Sequence, residues 1–321
     1  MNGLKIAAIG GGTGLSTMLR GLKLYTPNIS AIVTVADDGG SSGVLRNDYG
    51  MLPPGDVRNC VSALADVDPI AGELLNYRFQ EGNLKGHSLG NLILAALNEM
   101  SGNFEEAVEK FNHLMGVVGT VYPVTNENVT LHAELRDGSI IDGESHIGQH
   151  RIGKNKGISS VFLSPEKPKA VEQAIDAILD ADVVVLGPGS LYTSIIPNLL
   201  VEGIPEAIRE SKAVKIYVCN IMTQPGETEG YKASQHLEAL EKHSYKGIAD
   251  AMIVNNAPIP ETLRLKYLEE FASEVYIDSE RIVGRTALVS GNFLLVKSSK
   301  IRHNFSRLAR TIVTIGKSDS R

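Results

Sequence analysis

Four glycines within five residues form the stretch of this sequence best suited to holding a phosphate. Residues 10–14 read Gly-Gly-Gly-Thr-Gly, after an apolar run at residues 6–9 and before apolar residues at helical spacing from Leu15 to Leu22. In a strand, glycine turn and helix unit, the backbone approaches an anion closely and the helix start supplies free N–H groups. The sequence therefore predicts a phosphate-binding turn, and a tight corner without a ligand is the alternative.

The spacing of these glycines matches neither common nucleotide fingerprint. Counted from Gly10, the third glycine of G-x-G-x-x-G would fall at Leu15, and counted from Gly12 it would fall at Thr17. The sequence also lacks G-x-x-x-x-G-K-[ST], the loop of nucleoside-triphosphate hydrolases. A dinucleotide-dependent oxidoreductase is therefore disfavoured, and a P-loop enzyme is excluded.

A pair of acids, Asp37 and Asp38, ends a second apolar run at residues 31–36 and precedes the residues Gly-Gly-Ser-Ser. In doubly wound folds, an acid at the end of this strand commonly meets a ribose hydroxyl. Two adjacent carboxylates also suit a hard cation such as Mg²⁺, so these two residues are the candidate metal ligands. A polar turn shaped by Asp and Gly is the alternative interpretation.

Two further polar segments each lead into an apolar helix. In the first, Pro-Gly-Asp-Val-Arg-Asn, Asp56 is the predicted N-cap, and Arg58 stands in the first turn, where a cation opposes the helix dipole. That position favours contact with an anion, and a solvated arginine is the alternative. In the second, Gly-His-Ser-Leu-Gly-Asn, Ser88 is the predicted N-cap. His87 lies just outside this helix, where a structural role is the alternative to a ligand contact.

A second glycine turn, Gly-Pro-Gly-Ser at residues 187–190, follows the buried-strand pattern of residues 182–186. In open α/β sheets, ligands bind outside the carboxyl ends of the strands, where the strand order switches. Because several glycine or polar turns each follow a strand, we expect one shared crevice. The residues predicted to surround it are Gly11, Gly12, Thr13, Asp37, Asp38, Gly189 and Ser190.

The elements that must position these turns alternate as in an α/β fold with a mostly parallel sheet. Later strands are predicted at residues 215–220, 251–255 and 275–277. From about residue 117 to residue 163, the pattern becomes alternating around Asp137-Gly138, which is typical of a β-hairpin. We expect one α/β domain over residues 1–321 with a small antiparallel β insertion at about 117–163.

Composition narrows the class of protein. The chain has 321 residues, of which 43% are hydrophobic and 21% charged, as in ordinary soluble globular proteins. Its formal net charge of −6 and lack of a long basic tract argue against nucleic acid as a partner. Cys60 and Cys219 lie in apolar segments and predict buried thiols in a reducing compartment. No segment is apolar enough for a signal peptide or membrane span, so we expect a cytoplasmic location.

Taken together, several of these segments resemble the bacterial gluconeogenesis-factor (YvcK) family. The segments that carry the resemblance are residues 10–14, 33–43, 54–59, 86–91 and 187–194, and it continues through Arg302-His303-Asn304. That family is similar in fold to 2-phospho-L-lactate transferase (CofD), which uses a guanosine-diphosphate-linked substrate and magnesium. The resemblance therefore implies a Rossmann-like three-layer sandwich that holds a nucleotide diphosphate.

For gluconeogenesis factors, the resemblance implies binding of a UDP-sugar such as UDP-N-acetylglucosamine and a role in cell shape and envelope synthesis during gluconeogenic growth. Bound Mg²⁺, regulatory protein partners and a homo-oligomer are left open. The predicted ligand contacts are Gly11, Gly12, Thr13, Gly14, Asp37, Asp38, Ser41, Ser42, Asp56, Arg58, Asn59, His87, Asn91, Gly189, Ser190, Thr193, Tyr267 and Arg302.

Two of these predicted contacts have specific roles. Arg302 would form forked bonds to a phosphate, and Tyr267 would stack on the base or bond a hydroxyl. An exposed arginine and a core tyrosine are the alternatives.

One departure from the transferases bears on activity. Where they carry Pro-Asp-x-Asp-Thr, this chain has Gly-Asp-Val-Arg-Asn at residues 55–59, so Arg58 replaces the second acid. No catalytic residue is assigned, because no nucleophile with an adjacent base can be identified. We expect a non-enzymatic nucleotide-sugar sensor, with a magnesium-dependent phospho-group transferase as the alternative. A basic loop at residues 153–157 is the predicted moving part.

Overall fold

A seven-stranded sheet forms the centre of the computed structural model, which describes residues 3–149 and 157–319. Its strand order is β10-β9-β8-β7-β1-β2-β3, and every neighbouring pair is parallel. The strands are β1 (Ile6–Gly10), β2 (Ile29–Val33), β3 (Thr120–Pro123), β4 (Thr130–Leu135), β5 (Ile140–Asp142), β6 (Ile158–Ser164), β7 (Val183–Leu186), β8 (Val214–Val218), β9 (Ala251–Asn255), β10 (Ala287–Gly291), β11 (Leu294–Lys297) and β12 (Lys300–His303).

Helices cover both faces of this sheet and complete the predicted three-layer α/β sandwich. They are α1 (Gly12–Leu22), α2 (Gly40–Tyr49), α3 (Gly55–Leu64), α4 (Pro69–Asn76), α5 (Leu89–Glu99), α6 (Phe104–Leu114), α7 (Glu144–Gln149), α8 (Glu172–Leu179), α9 (Ile196–Leu199), α10 (Ile204–Glu210), α11 (Ala233–Lys242), α12 (Glu261–Glu269) and α13 (Phe305–Asp319). One group of helices contains α1, α3 and α13, and another contains α8, α9 and α10. None of the helices within residues 3–149 and 157–319 combines the length and hydropathy that crossing a lipid bilayer requires.

The strand order reverses between β1 and β7. From β1, the chain first adds β2 and β3 on one side and later adds β7 to β10 on the other. All residues of β1 and β7 are buried, because helices cover a parallel sheet on both faces. The two glycine turns follow these two strands directly. They therefore meet at the position where open α/β sheets bind their ligands.

The predicted antiparallel insertion is present as a separate three-stranded sheet with the order β5-β4-β6, but its predicted start at about residue 117 is wrong, because β3 belongs to the main parallel sheet. One link between this small sheet and the rest of the site is α7, which contacts the helical turn Leu191–Ile195 that follows the second glycine turn. The backbone N–H of Ser145 in α7 donates to the Asp38 carboxylate at 2.8 Å. The insertion therefore reaches the loop that follows β2. That the whole chain is one domain stays a prediction.

The strand predicted at residues 275–277 is wrong. This segment makes only isolated bridges, Met222 with Glu274 and Lys232 with Tyr276. The sheet edge is occupied instead by β10, whose five residues pair with the whole of β9. β10 is partly exposed at the edge, and its short apolar run ends in Ser290 and Gly291, so its strand pattern in the sequence is weak.

Candidate functional site

A cavity of about 390 Å³ opens at the carboxyl ends of β1 and β7. It is lined by Gly11, Gly12, Thr13, Gly14, Thr17, Pro188, Gly189, Ser190, Ser194, Asn220, Ile221, Met222, Thr223, Gln224, Pro225, Tyr267, Glu270, Ala272, Ile301, Arg302 and His303. Both glycine turns border one space, as predicted, but Asp37 and Asp38, which were predicted to surround it with them, are not among its described lining residues. The cavity has a polar side at the turns and an apolar side formed by three later segments of the chain.

Close packing explains why the first turn is rich in glycine. A Cβ on Gly14 would lie 2.5 Å from the Pro188 carbonyl oxygen, which belongs to the second turn. A Cβ on Gly11 would lie 2.6 Å from the Asp56 carboxylate. Gly12 begins α1 with a φ of 64°, a conformation that glycine adopts without a Cβ clash. The turn therefore brings its backbone close to the cavity, where N–H groups can meet an anion, although the Gly12 N–H already donates to the Asp56 carboxylate.

The second turn is fixed by two side-chain amides from the loop after β8. The Asn220 amide donates to the Gly189 carbonyl at 2.7 Å, and the Gln224 amide donates to the Ser190 hydroxyl at 2.6 Å. The turn then continues into the buried helical turn Leu191–Ile195. Asn220 and Gln224 were not predicted as site residues, although both stand in or beside a polar loop at the end of a strand.

The apolar side of the cavity is a small hydrophobic cluster separate from the main core. Its buried members are Ile221, Met222, Ile259 and Ile301, and Tyr267 packs against them. The Tyr267 hydroxyl accepts a hydrogen bond from the Ile301 N–H at 2.9 Å, which joins α12 to the β11–β12 hairpin. The tyrosine ring lines the cavity, so the structure places it where a base can stack.

The charge on this side comes from Arg302. Its guanidinium donates only a local bond to the Ile301 carbonyl at 3.1 Å, and the side chain lines the cavity. The neighbouring His303 is neutral at physiological pH, because burial lowers its pKa to about 4. Arg302 is therefore the one charged cation among the described residues that line the cavity, as the predicted phosphate contact requires.

A group of carboxyl side chains lies behind the first glycine turn. Burial, followed by the charge of Asp37, raises the pKa of Asp56 to about 7. Burial and the charges of Asp37, Glu227 and Asp56 raise the pKa of Glu144 to about 8. Burial raises the pKa of Glu227 to about 7. Near neutral pH, these groups can exchange protons or cations when an anion binds beside them.

The prediction that Asp56 is an N-cap is wrong. Pro54 occupies the N-cap position of α3, and no side chain caps the helix. Asp56 instead accepts hydrogen bonds from the Gly12 N–H and from Asn59, so its carboxylate reaches back to the phosphate-type turn. Ser88 is the N-cap of α5, as predicted, and accepts from the Asn91 N–H at 3.3 Å.

Asp37 and Asp38 point to different neighbours. An Asp37 oxygen accepts from the Gly39 N–H at 2.9 Å, whereas Asp38 accepts from Ser145 in the insertion. Within residues 3–149 and 157–319, no three His, Cys, Asp or Glu side chains form a group suited to a metal ion. A metal held by Asp37 and Asp38 stays a prediction. Asp37 and Asp56, which influence each other electrostatically, are a second pair able to meet a cation.

The remaining predicted contacts form a hydrogen-bond network beside the site. The Ser41 hydroxyl lies 3.0 Å from His87 Nδ1 and accepts from the Asn91 amide at 3.1 Å. Arg58 is only 6% exposed, and its donors go to Asn91 at 3.3 Å and to Asn76 at 2.6 Å. In this structure Arg58 ties α3 to α4 and α5.

Two more predicted contacts complete the surroundings of the turns. The Ser42 hydroxyl accepts from the Gly55 N–H at 3.2 Å. The Thr193 hydroxyl donates a hydrogen bond to the Glu227 carboxylate at 3.3 Å. It also forms a hydrogen bond with the Glu144 side chain. The role of each as a ligand contact stays a prediction.

Three acidic residues at the site were not predicted from the sequence: Glu144, Glu227 and Glu270. Glu144 comes from the insertion, and Glu227 and Glu270 come from loops that the fold brings back to the sheet edge. No spacing within the sequence links them to the glycine turns. The loop predicted to move comprises residues 153–157. Except for Gly157, it lies outside the residues that the structure describes.

Comparison with known proteins places the chain in a family. The family model described as 2-phospho-L-lactate transferase CofD matches residues 6–294. The gluconeogenesis factor of Bacillus subtilis (strain 168) is 46% identical over 313 residues, covering 97% of this chain and 98% of that protein. The gluconeogenesis factor of Halalkalibacterium halodurans is 46% identical over 310 residues, covering 96% of this chain and 95% of that protein.

A solved structure agrees with the fold. The crystal structure of a protein from Bacillus halodurans matches with a TM-score of 0.93 and 46% sequence identity, covering 97% of this chain and 99% of that one. The sequence motifs, the family match and the full-length relatives thus point the same way. This chain belongs to the CofD family, in the group of bacterial gluconeogenesis factors.

Proposed function

We propose that this protein binds a UDP-sugar such as UDP-N-acetylglucosamine reversibly in the cytoplasm and leaves it intact. In this proposal, the occupied protein regulates cell shape and envelope synthesis during growth on gluconeogenic carbon sources. The observation that carries the proposal is the single cavity between β1 and β7. It offers glycine-turn N–H groups, an arginine and a tyrosine ring to one molecule.

In this proposal, each part of the ligand lies against a different part of the cavity. The diphosphate sits at the two glycine turns, where backbone N–H groups and Arg302 meet its charge. The uracil lies against Tyr267 and the apolar cluster around Met222 and Ile301. The sugar then extends past Gly12 toward Asp56 and the other carboxyl groups, which accept hydrogen bonds from hydroxyls.

The carboxyl groups also govern how a diphosphate is accommodated. Asp56 accepts a hydrogen bond from the Gly12 N–H, so an ionised Asp56 would repel a phosphate at that turn. A proton on Asp56, or Mg²⁺ shared between the phosphate and nearby carboxylates, removes the repulsion. Binding of the nucleotide should therefore strengthen with added Mg²⁺ or at slightly acidic pH.

The same carboxyl groups favour the second candidate, a magnesium-dependent transfer of a phospho-group from a nucleoside-diphosphate-linked donor. Such a reaction needs a cation, an acceptor hydroxyl and a base with a pKa near neutrality. Glu144 has its pKa raised to about 8 and so meets the last requirement. Against transfer, Arg58 stands in place of the second acid of the transferases and is bonded into the helical scaffold.

Phosphorus NMR separates the two candidates. Protein, Mg²⁺ and UDP-N-acetylglucosamine would be incubated with acceptor alcohols and phosphates, after thermal-shift measurements across a panel of nucleotides and nucleotide sugars. A saturable rise in melting temperature with an unchanged spectrum supports the sensor. Steady release of UDP or UMP that disappears in Asp56→Asn would establish the transferase instead.

A matched control makes the result specific to the site. Asp48→Asn changes an exposed acid on α2 and should leave both the melting shift and the spectrum as in the wild type. If no UDP-sugar raises the melting temperature while another nucleotide diphosphate does, the cavity is a nucleotide site with a different ligand. If no nucleotide does, the proposed function is wrong.

A further inference from the structure

The side of the cavity formed by α12 carries a carboxylate with no assigned role. Among the described residues that line the cavity, Glu270 is the only acidic one. The acids at the end of β2, which in doubly wound folds meet a ribose, are not among the lining residues. Asp37 bonds the Gly39 N–H, and Asp38 bonds the insertion through Ser145. The acid that usually contacts the ribose is therefore not found among the described residues that line the cavity.

The backbone at the end of α12 fixes the position of Glu270. The Phe271 N–H donates to the Leu268 carbonyl at 3.0 Å, and the Ala272 N–H donates to the Tyr267 carbonyl at 2.8 Å. These two bonds form a Schellman motif, in which glycine normally occupies the left-handed position. Here Phe271 takes it, with a φ of 63°. Such a conformation is unfavourable for phenylalanine, and residues held this way cluster at functional sites.

We infer that Glu270 accepts hydrogen bonds from the ribose hydroxyls of the bound nucleotide and thereby selects ribonucleotides over 2′-deoxyribonucleotides. The inference rests on the proposed function. Glu270 follows Tyr267 by three residues, and both line the cavity. Residues at this spacing are neighbours on a helix, with Cβ atoms about 5–6 Å apart. A base stacked on Tyr267 thus carries its ribose beside Glu270, while the diphosphate extends to the glycine turns.

The chemistry of a carboxylate suits a ribose diol. Its two oxygens accept charge-assisted hydrogen bonds from the 2′ and 3′ hydroxyls at once. When the 2′ hydroxyl is missing, one oxygen loses its partner in a pocket that the ligand has partly emptied of water. Sites built to bond a hydroxyl reject ligands that lack it for this reason. Replacing Glu270 should therefore weaken binding of the ribonucleotide and remove most of the preference for it.

The experiment is a comparison of four pairs of ligands by titration calorimetry. Dissociation constants would be measured for UDP and 2′-deoxy-UDP, and likewise for the ADP, GDP and CDP pairs, with and without Mg²⁺. For the best-bound pair, the wild type should prefer the ribonucleotide at least tenfold, or about 1.4 kcal/mol. Glu270→Ala should reduce this preference to within about twofold by weakening only the ribonucleotide, and Glu270→Gln should fall between the two.

Glu269→Ala is the matched control, because Glu269 lies on the same helix, is exposed and does not line the cavity. It should keep the full preference. A preference that survives in Glu270→Ala assigns the ribose to other polar groups such as Thr223 and overturns the inference. A wild type without any preference does the same, as does an effect of Glu270→Ala seen only with Mg²⁺. If none of the eight nucleotides binds, the proposed function itself fails, and the inference fails with it.

Discussion

The two sides of the ligand cavity are built in different ways. The glycine turns extend from β1 and β7, whose residues are all buried in the main core. The side that carries Tyr267 and Arg302 rests on a separate cluster of four buried residues, and α12 itself has no buried residue. A large, closely packed core holds the first side in one geometry, whereas few apolar contacts hold the second.

This difference teaches how recognition is divided. A diphosphate is common to many nucleotides, and the well-packed turns supply the same N–H groups to each of them. In the proposed function, the base, ribose and charge contacts that distinguish one nucleotide from another lie on the weakly anchored side. We therefore expect mutations at the turns to disturb the fold together with binding, and mutations on the other side to change affinity or selectivity with little loss of stability.

The largest effect should follow Gly14→Ala. The new Cβ would lie 2.5 Å from the Pro188 carbonyl oxygen and 2.8 Å from its carbon, which are backbone atoms. Relief of such overpacking costs about 1–3 kcal/mol of the free energy of unfolding. Because the two turns must separate, binding of UDP-N-acetylglucosamine should also weaken at least tenfold, or about 1.4 kcal/mol. Urea unfolding and calorimetry measure both quantities.

Gly72→Ala provides the control for this change. Gly72 also lies within a helix, α4, but a Cβ there would meet no atom within 4 Å. Replacing an unstrained helical glycine should stabilise the protein by about 0.5–1 kcal/mol and leave binding unchanged. If Gly14→Ala unfolded at the wild-type urea concentration, the contact between the turns would not constrain the site.

The next effect is on the weakly anchored side. Arg302→Ala should raise the dissociation constant for UDP-N-acetylglucosamine at least tenfold, or about 1.4 kcal/mol, because it removes the one charged cation of the described lining residues. Unfolding should change little, since the guanidinium makes only a local bond. Arg302→Lys should recover part of the affinity as a point charge. The exposed Arg310→Ala serves as the control, and an unchanged isotherm in Arg302→Ala would remove Arg302 from the site.

The sequence predicted the first side better than the second, for a physical reason. Each glycine turn is a local feature, in which an apolar strand, small residues and a helix follow one another within the chain. The parallel α/β fold also follows from such local patterns, as does the meeting of the turns at the switch in strand order. Tyr267 was predicted from the family resemblance, and Arg302 from the resemblance together with its place in a polar cluster before the last helix.

Glu144, Glu227 and Glu270 were missed because tertiary folding alone places them at the site. Their sequence neighbours show no spacing that relates them to a phosphate turn. The same limit explains Asp56, whose position favours an N-cap locally but whose carboxylate the fold directs to Gly12. Local sequence patterns therefore predict the glycine-turn side of the cavity. The side that carries Tyr267, Glu270 and Arg302 depends on long-range contacts that such patterns do not show.

A smaller effect concerns the carboxyl groups behind the turns. The pKa of Glu144 is raised to about 8, above its ordinary value of 4.5, so the folded state binds more protons than the unfolded state between these values. Stability is therefore lost as pH rises toward 8. Glu144→Gln should flatten this decline by roughly 1 kcal/mol between pH 6.5 and 8.5 in urea unfolding.

This pH window isolates the carboxyl groups. His236 and His303 both have a pKa lowered to about 4 by burial, so their proton binding changes stability only below about pH 6.5. Glu166→Gln alters an exposed acid in a loop and should keep the wild-type slope. An equal slope in Glu144→Gln and the wild type would mean that Glu144 is ionised throughout this range.

The smallest effect should come from Tyr267→Phe, which tests the anchoring of the weaker side directly. The substitution keeps the ring that lines the cavity and removes the hydroxyl that accepts the Ile301 N–H bond at 2.9 Å. A neutral hydrogen bond contributes about 0.5–1.5 kcal/mol, so the dissociation constant for UDP-N-acetylglucosamine should rise about two- to tenfold. Hydrogen exchange of the Ile301 amide should accelerate, while amides of β1 and β7 keep their protection.

Tyr276→Phe changes an exposed tyrosine outside the cavity and is the control. If the β1 and β7 amides accelerated as much as Ile301, the two sides would open as one unit, and the division of recognition between them would be wrong.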